Sequence, residues 1–109
     1  MHYMTLVDLA DEIASKRISP VEVTEHFLSR IDASQGKLNA FNLVTHDLAL
    51  SQAKAAEKEI TNNGYLGRLH GIPIAVKDIF DMSGLATTAG MAIHQNRIAK
   101  SDATVIDKL

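Results

Sequence analysis

Apolar positions recur along the first third of this chain at helical spacing. Leu6, Leu9, Ala10, Ile13 and Ala14 form one stripe, with Asp11, Glu12 and Lys16 on the opposite side. Thr5 and Asp8, three apart at its head, predict a capping box, in which a hydroxyl and a carboxylate take up amide donors the helix leaves free. Ser19-Pro20-Val21-Glu22 announces a second helix with Ser19 as cap and Pro20 where its missing N–H costs nothing. Val23, Phe27, Leu28 and Ile31 supply its buried stripe, and the helical region is expected to close near residue 35, with Gly36 in the polar exit.

Ala40-Phe41-Asn42-Leu43-Val44 reads as a short strand. Thr45 is expected to cap a third helix, near 46–62, stopped by Asn63-Gly64. The stripe of that helix is small (Ala49, Ala53, Ala56, Ile60), which permits close approach but buries little area per turn. Glycines at 64, 67 and 71 then lead into Ile72-Pro73-Ile74-Ala75-Val76-Lys77, short enough for a strand with proline near its start. A loop over 78–90 follows, and Ser101 or Asp102 caps the start of a last helix near 102–109, with Val105, Ile106 and Leu109 apolar. These elements predict an α/β protein: helices packed on a mixed β-sheet. A continuous apolar strand implies neighbours on both sides, and the chain offers one other strand at most, so it reads as a piece of something larger or a partner for another chain.

Composition narrows the function classes. The chain has 109 residues, 46% hydrophobic and 22% charged, close to the globular average. Lys plus Arg number 11 against 13 Asp plus Glu, a formal charge of −2, so no basic excess points to a nucleic acid or a membrane surface. There is no cysteine, which removes disulfides, thiol catalysis and thiolate metal sites. Met1-His2-Tyr3-Met4-Thr5 lacks the basic and apolar regions of a signal peptide, and a soluble, cytoplasmic protein is expected. His2, His26, His46, His70 and His94 lie twenty or more apart, so a zinc site would have to be purely tertiary. No glycine-rich phosphate cradle is present, and no cofactor or metal is expected.

The densest chemistry lies at Leu69-His70-Gly71-Ile72-Pro73-Ile74-Ala75-Val76-Lys77-Asp78. A lysine closing an apolar strand has two readings. In one, Lys77 leaves the sheet and pairs with Asp78 or Asp81 at the surface. In the other, desolvation favours the neutral amine and makes it a usable base. Asp78 and Asp81, three apart, have the oxygen chemistry of a hard-cation site or of loop and turn capping, with no further clustered ligands to favour the former. His70 either reaches the site region or serves the strand entry, and the hydroxyls of Thr87 and Thr88 either meet polar substrate atoms or bond within the loop.

The stretch L-H-G-I-P-I-A-V-K-D-I-F-D-M-S-G-L-A-T-T-A-G at 69–90 closely resembles the amidase signature family. S-P-V-E-V-T-E at 19–25, L-N-A-F at 38–41 and D-A-T-V at 102–105 extend the likeness to nearly the whole chain. The resemblance implies the N-terminal part of a single amidase domain. It implies a hydrolase that cleaves carboxamide C–N bonds through a Ser–cis-Ser–Lys triad, and Lys77 falls on the position of the lysine base. A small-molecule amide is the implied substrate of the full-length enzyme. Small carboxamides, fatty or aryl amides and glutaminyl transfer on charged tRNA are not separated by this stretch, although the net charge speaks against direct nucleic acid contact. The two serines of the pattern belong to a Gly/Ser-rich segment, and none of Ser15, Ser19, Ser29, Ser34, Ser51, Ser83 or Ser101 lies in one. The chain alone is therefore expected to be inactive. Ala86 stands where the pattern often has proline, and Met91 where it often has serine. The competing expectation is a catalytically silent, truncated module that folds alone or self-associates through exposed sheet edges.

Overall fold

The computed structural model describes all residues from Met1 to Leu109. The chain divides into two units, Met1–Pro73 and Ile74–Leu109. The first is built from α1 (Leu6–Ala14), α2 (Pro20–Leu38) and α3 (His46–Asn62). The second holds a 3₁₀ turn at Ala92–His94 and a single short helical turn, α4 (Thr104–Asp107).

Both helix starts carry reciprocal caps. The Thr5 hydroxyl oxygen accepts from Asp8 N–H at 3.1 Å while the Asp8 carboxylate accepts from Thr5 N–H at 3.1 Å. Ser19 and Glu22 repeat the pattern at 3.1 and 2.8 Å, with Pro20 in the first turn. Hydrogen bonds to Thr5 hold the Asp8 carboxyl below its ordinary range. Between the helices Lys16 turns at φ 58°, and Arg17 folds back onto Glu12 in a two-pronged pair at 2.7 and 2.8 Å.

The second helix runs past the predicted end near 35. Gly36 lies inside its last turn, and the stop is Asn39, left-handed at φ 46°, whose N–H reaches Gln35 O at 2.8 Å. Asparagine is one of the few residues besides glycine that take up that conformation. At the head of α3 Thr45 occupies the cap position without a side-chain cap bond. The His46 ring instead meets the Asp32 carboxylate of α2 at 3.0 Å, and the two helices pack on each other.

Leu9 and Ile13 of α1, Val23 of α2 and Ile60 of α3 form the core of this unit, with Met4, Ile18, Phe27, Tyr65 and Ile72 packed around it. Gly71 seals one side. Its φ is 83°, and an added Cβ would lie 2.7 Å from Pro20 Cγ, so only glycine fits there.

The predicted mixed sheet is absent. Neither 40–44 nor 72–77 forms a strand, and the sole β-pairing is an isolated antiparallel bridge between Ala86 and Ile98. At 40–44 the cause is local. Both the N–H and the C=O of Phe41 are taken by the Gln35 side-chain amide, at 3.2 and 2.6 Å, leaving no ladder donor or acceptor there. At 72–77 the chain brings no second strand alongside, and pairing is what makes a strand. Sheet edges, on which the expectation of self-association rested, are accordingly not there. No helix is long and apolar enough to cross a membrane.

Candidate functional site

The residues singled out by the sequence between Lys77 and Gly90 all fall in the second unit. A turn opens it. The Lys77 carbonyl accepts from Ile79 N–H at 2.7 Å and Phe80 N–H at 3.1 Å, which closes the backbone directly after the lysine. The Lys77 side chain is exposed in this chain.

Asp78 ties that turn to the threonine loop. Its carboxylate accepts the Thr88 N–H at 2.8 Å on one oxygen and the Thr88 hydroxyl on the other. The Asp78 carbonyl accepts from Ala89 N–H at 2.9 Å, and Thr88 Oγ1 in turn accepts from Gly90 N–H at 3.2 Å. These bonds hold Ala89 at φ 50° and Gly90 at φ 71°, two consecutive left-handed residues. Ala89 has no glycine freedom, so its conformation is imposed by its partners.

Asp81 goes elsewhere. It forms a two-pronged pair with Arg97 at 2.6 and 2.7 Å, and the Arg97 guanidinium holds its carboxyl below the ordinary range. The Asp81 carbonyl also accepts from Ala103 N–H at 2.8 Å. Around the Ala86–Ile98 bridge, Ala99 N–H reaches Leu85 O at 3.0 Å and Gly84 N–H reaches Ala99 O at 2.9 Å. Thr87 is buried beside it. Asp102 does not cap α4, whose cap position is Ala103. Its carboxylate accepts from Ser83 N–H at 2.6 Å instead. Asp81, Thr87, Ala89, Met91, His94 and Arg97 are among the residues lining an open cavity of about 380 Å³.

The structure thus brings Asp78 to Thr88 and Asp81 to Arg97, and splits the two aspartates between separate tasks. They make no shared cation site, and no three His, Cys, Asp or Glu side chains converge anywhere in the chain. The surface pair between Lys77 and Asp81 is not formed, because Arg97 takes that carboxylate. His70 is engaged within the first unit. Its Nδ1 accepts from Leu66 N–H at 3.2 Å, which leaves Nε2 to donate to Glu59 at 3.2 Å. Among the other histidines, His2 and His26 meet ring to ring, with nitrogens 3.3 Å apart. The sequence did not announce Arg97, the bond between Asp102 and Ser83 or the pairing of Asp78 with Thr88. Sixteen, nineteen and ten residues separate these partners, and no local pattern announces them.

Comparison with known proteins places this geometry. The family model described as Amidase matches residues 22–109. A glutamyl-tRNA(Gln) amidotransferase subunit from Pseudomonas fluorescens is 47% identical over 109 residues, and its counterpart from Coxiella burnetii 43%. The chain is covered in full in both cases but spans only 22% of either relative's length. Among solved structures, a fatty acid amide hydrolase superposes with a TM-score of 0.89 at 27% identity, covering 97% of this chain and 19% of the other. A bacterial aryl acylamidase of the amidase signature enzymes gives 0.82 at 27%, covering 89% and 20%. A chain of a vestigial protein complex bearing on the origins of an s-triazine catabolic enzyme gives 0.91 at 35%, covering 96% and 23%.

Proposed function

The chain belongs to the amidase family, and on that premise we propose that Lys77 is the base of a Ser–cis-Ser–Lys centre that cleaves carboxamide C–N bonds. The observation that carries the reading is the unbroken 69–90 motif, with Lys77 at the end of I-A-V-K and the T-T-A-G loop bonded to the residue beside it. In this reading a serine oxygen attacks the amide carbonyl, and its proton passes through the second serine to the neutral amine. The C–N bond breaks as the departing amine takes up a proton, and water then releases the acyl group. A serine hydroxyl is a weak nucleophile until a base relieves it of its proton, and an uncharged lysine is such a base. Backbone N–H groups of a glycine-rich loop stabilise the oxyanion.

Lys77 is exposed within these 109 residues, so the reading requires residues outside them to cover the amine. It also puts both serines outside them, and the chain by itself is then silent. The substrate class is supported by the names of the compared proteins, an amidotransferase, an amide hydrolase and an acylamidase. A small-molecule carboxamide is the substrate we assign.

The test is a graft. These 109 residues replace the matching stretch of the Pseudomonas fluorescens relative, and amide turnover is measured per folded enzyme. The graft is expected to turn over, and Lys77→Ala to lower kcat by about 10²–10⁴-fold. Lys77→Arg is expected not to rescue, because a guanidinium stays protonated. Full turnover in a folded Lys77→Ala graft would overturn the assignment.

A further inference from the structure

A lysine that must deliver its amine to one point has a flexible four-carbon stem. Its aim depends on where the stem is rooted, and a displacement of about 1 Å at a reacting group can cost about a hundredfold in rate. The root of Lys77 is held at two points on its C-terminal side. Its own carbonyl closes the turn onto Ile79 and Phe80, and the next residue is bonded to the threonine loop by side chain and backbone together. The carboxylate bonds are charge-assisted, the strong kind. Burial does not demand them, since Asp78 and Thr88 are only half-buried and Ala89 and Gly90 are exposed. The loop also accepts a left-handed alanine to make them.

We propose that Asp78 and Thr88 form a positioning clamp that fixes the backbone root of Lys77. The catalytic consequence rests on the reading of Lys77 as the base, whereas the fixing of the root does not. Thr88 supplies two donors to one carboxylate, its N–H and its hydroxyl, and serine is the conservative replacement that keeps both. Valine keeps the shape and the N–H but loses the hydroxyl. Asn at 78 keeps one acceptor and turns the other into a donor facing a donor.

Two measurements test the clamp. In the grafted enzyme, Asp78→Asn and Thr88→Val are each expected to lower kcat about 10–100-fold with KM changed less than about twofold. Thr88→Ser is expected to stay within about threefold of the parent, and the double variant to lose little more than either single one, as partners in one interaction do. A clamp that serves only structure would lower the melting temperature and leave kcat per folded enzyme unchanged, and that result would overturn the positioning role. In the 109-residue chain, ¹⁵N relaxation at the Lys77 amide is the second readout. Its order parameter is expected to fall from about 0.85 towards about 0.6 in Asp78→Asn and Thr88→Val, and to hold in Thr88→Ser. An unchanged order parameter would overturn the fixing of the root. Should Lys77→Ala leave the graft active, the assignment of the base fails alone, and the relaxation data still decide the clamp.

Discussion

Between Met1 and Pro73, Leu9, Ala10, Ile13, Val23, Ala53 and Ile60 are each no more than 5% exposed. Between Ile74 and Leu109 the only apolar residue so buried is Ala99, while Ile74, Ile79, Met91, Ile93, Ile98 and Leu109 are all about half exposed or more. The first region is held by burial, which is non-directional and indifferent to which atom meets which. The second is held by directed bonds: Asp78 to Thr88, Asp81 to Arg97, Asp102 to Ser83. Directed bonds fix positions but contribute little net stability each. A region whose task is to hold a few groups in register is well served by them, and one whose task is to fold is not.

The sharpest way to break this comparison is a matched pair of isoleucines. Ile13→Ala empties a fully buried site and is expected to cost about 2–5 kcal/mol, read as a shift in the urea midpoint. Ile93, 85% exposed, is expected to change stability by less than about 0.5 kcal/mol on the same substitution. Equal effects would erase the distinction.

Gly71→Ala comes next. The left-handed φ alone costs about 1–2 kcal/mol for an L-residue. The approach to Pro20 Cγ at 2.7 Å adds to that, since a proline ring has little room to give. Thermal melts of the 109-residue chain should show the loss, and an unchanged melting temperature would mean the Gly71–Pro20 contact opens freely.

Tyr65 carries a flaw in the first region's core. Its hydroxyl is buried without a hydrogen-bond partner, and burial, with Asp11 nearby, pushes its ionisation upward. Tyr65→Phe is therefore expected to stabilise the chain by up to about 1 kcal/mol. Because the folded state disfavours the phenolate, this group leaves stability unchanged below its unfolded ionisation and lowers it as pH rises through the higher folded one. The alkaline limb of the pH–stability curve should consequently flatten in the phenylalanine variant.

The smallest expected effect belongs to Asp81. Its folded carboxyl ionises below the ordinary value of 3.8, first through the bond from Arg97. The stability it adds is thus present above 3.8 and disappears as pH falls through the folded value. Both partners are partly exposed, so the pair is screened and its removal should be slight. NMR titration of the Asp81 carboxyl should give a midpoint below 3.8 that moves upward in Arg97→Ala. No change on that substitution would mean Arg97 is not the cause.

Legibility along the chain followed the reach of each interaction. The Thr5–Asp8 and Ser19–Glu22 caps could be read because both partners lie within one helical turn. The stop of α3 at Asn63 could be read for the same reason. The expected strand at 40–44 fails at its aromatic residue, Phe41, whose backbone N–H and C=O are both taken by Gln35. The strand at 72–77 failed on pairing, a property of two segments that one segment cannot display. Of the candidate site, the sequence singles out Lys77 through its motif but not its surroundings: the choice of Asp78 for Thr88 and of Asp81 for Arg97 depends on how the loop folds back.

Sequence alone determined where the first three helices begin, which of their faces are apolar, the family likeness and the position of Lys77, because each depends on neighbours a few residues apart or on an ordered motif. Tertiary structure alone decided that Gly71 must be glycine, that His70 serves Glu59 and Leu66, and that the lysine's turn is bonded to a loop ten residues on. Those outcomes depend on distances through space, which chain order does not encode one residue at a time.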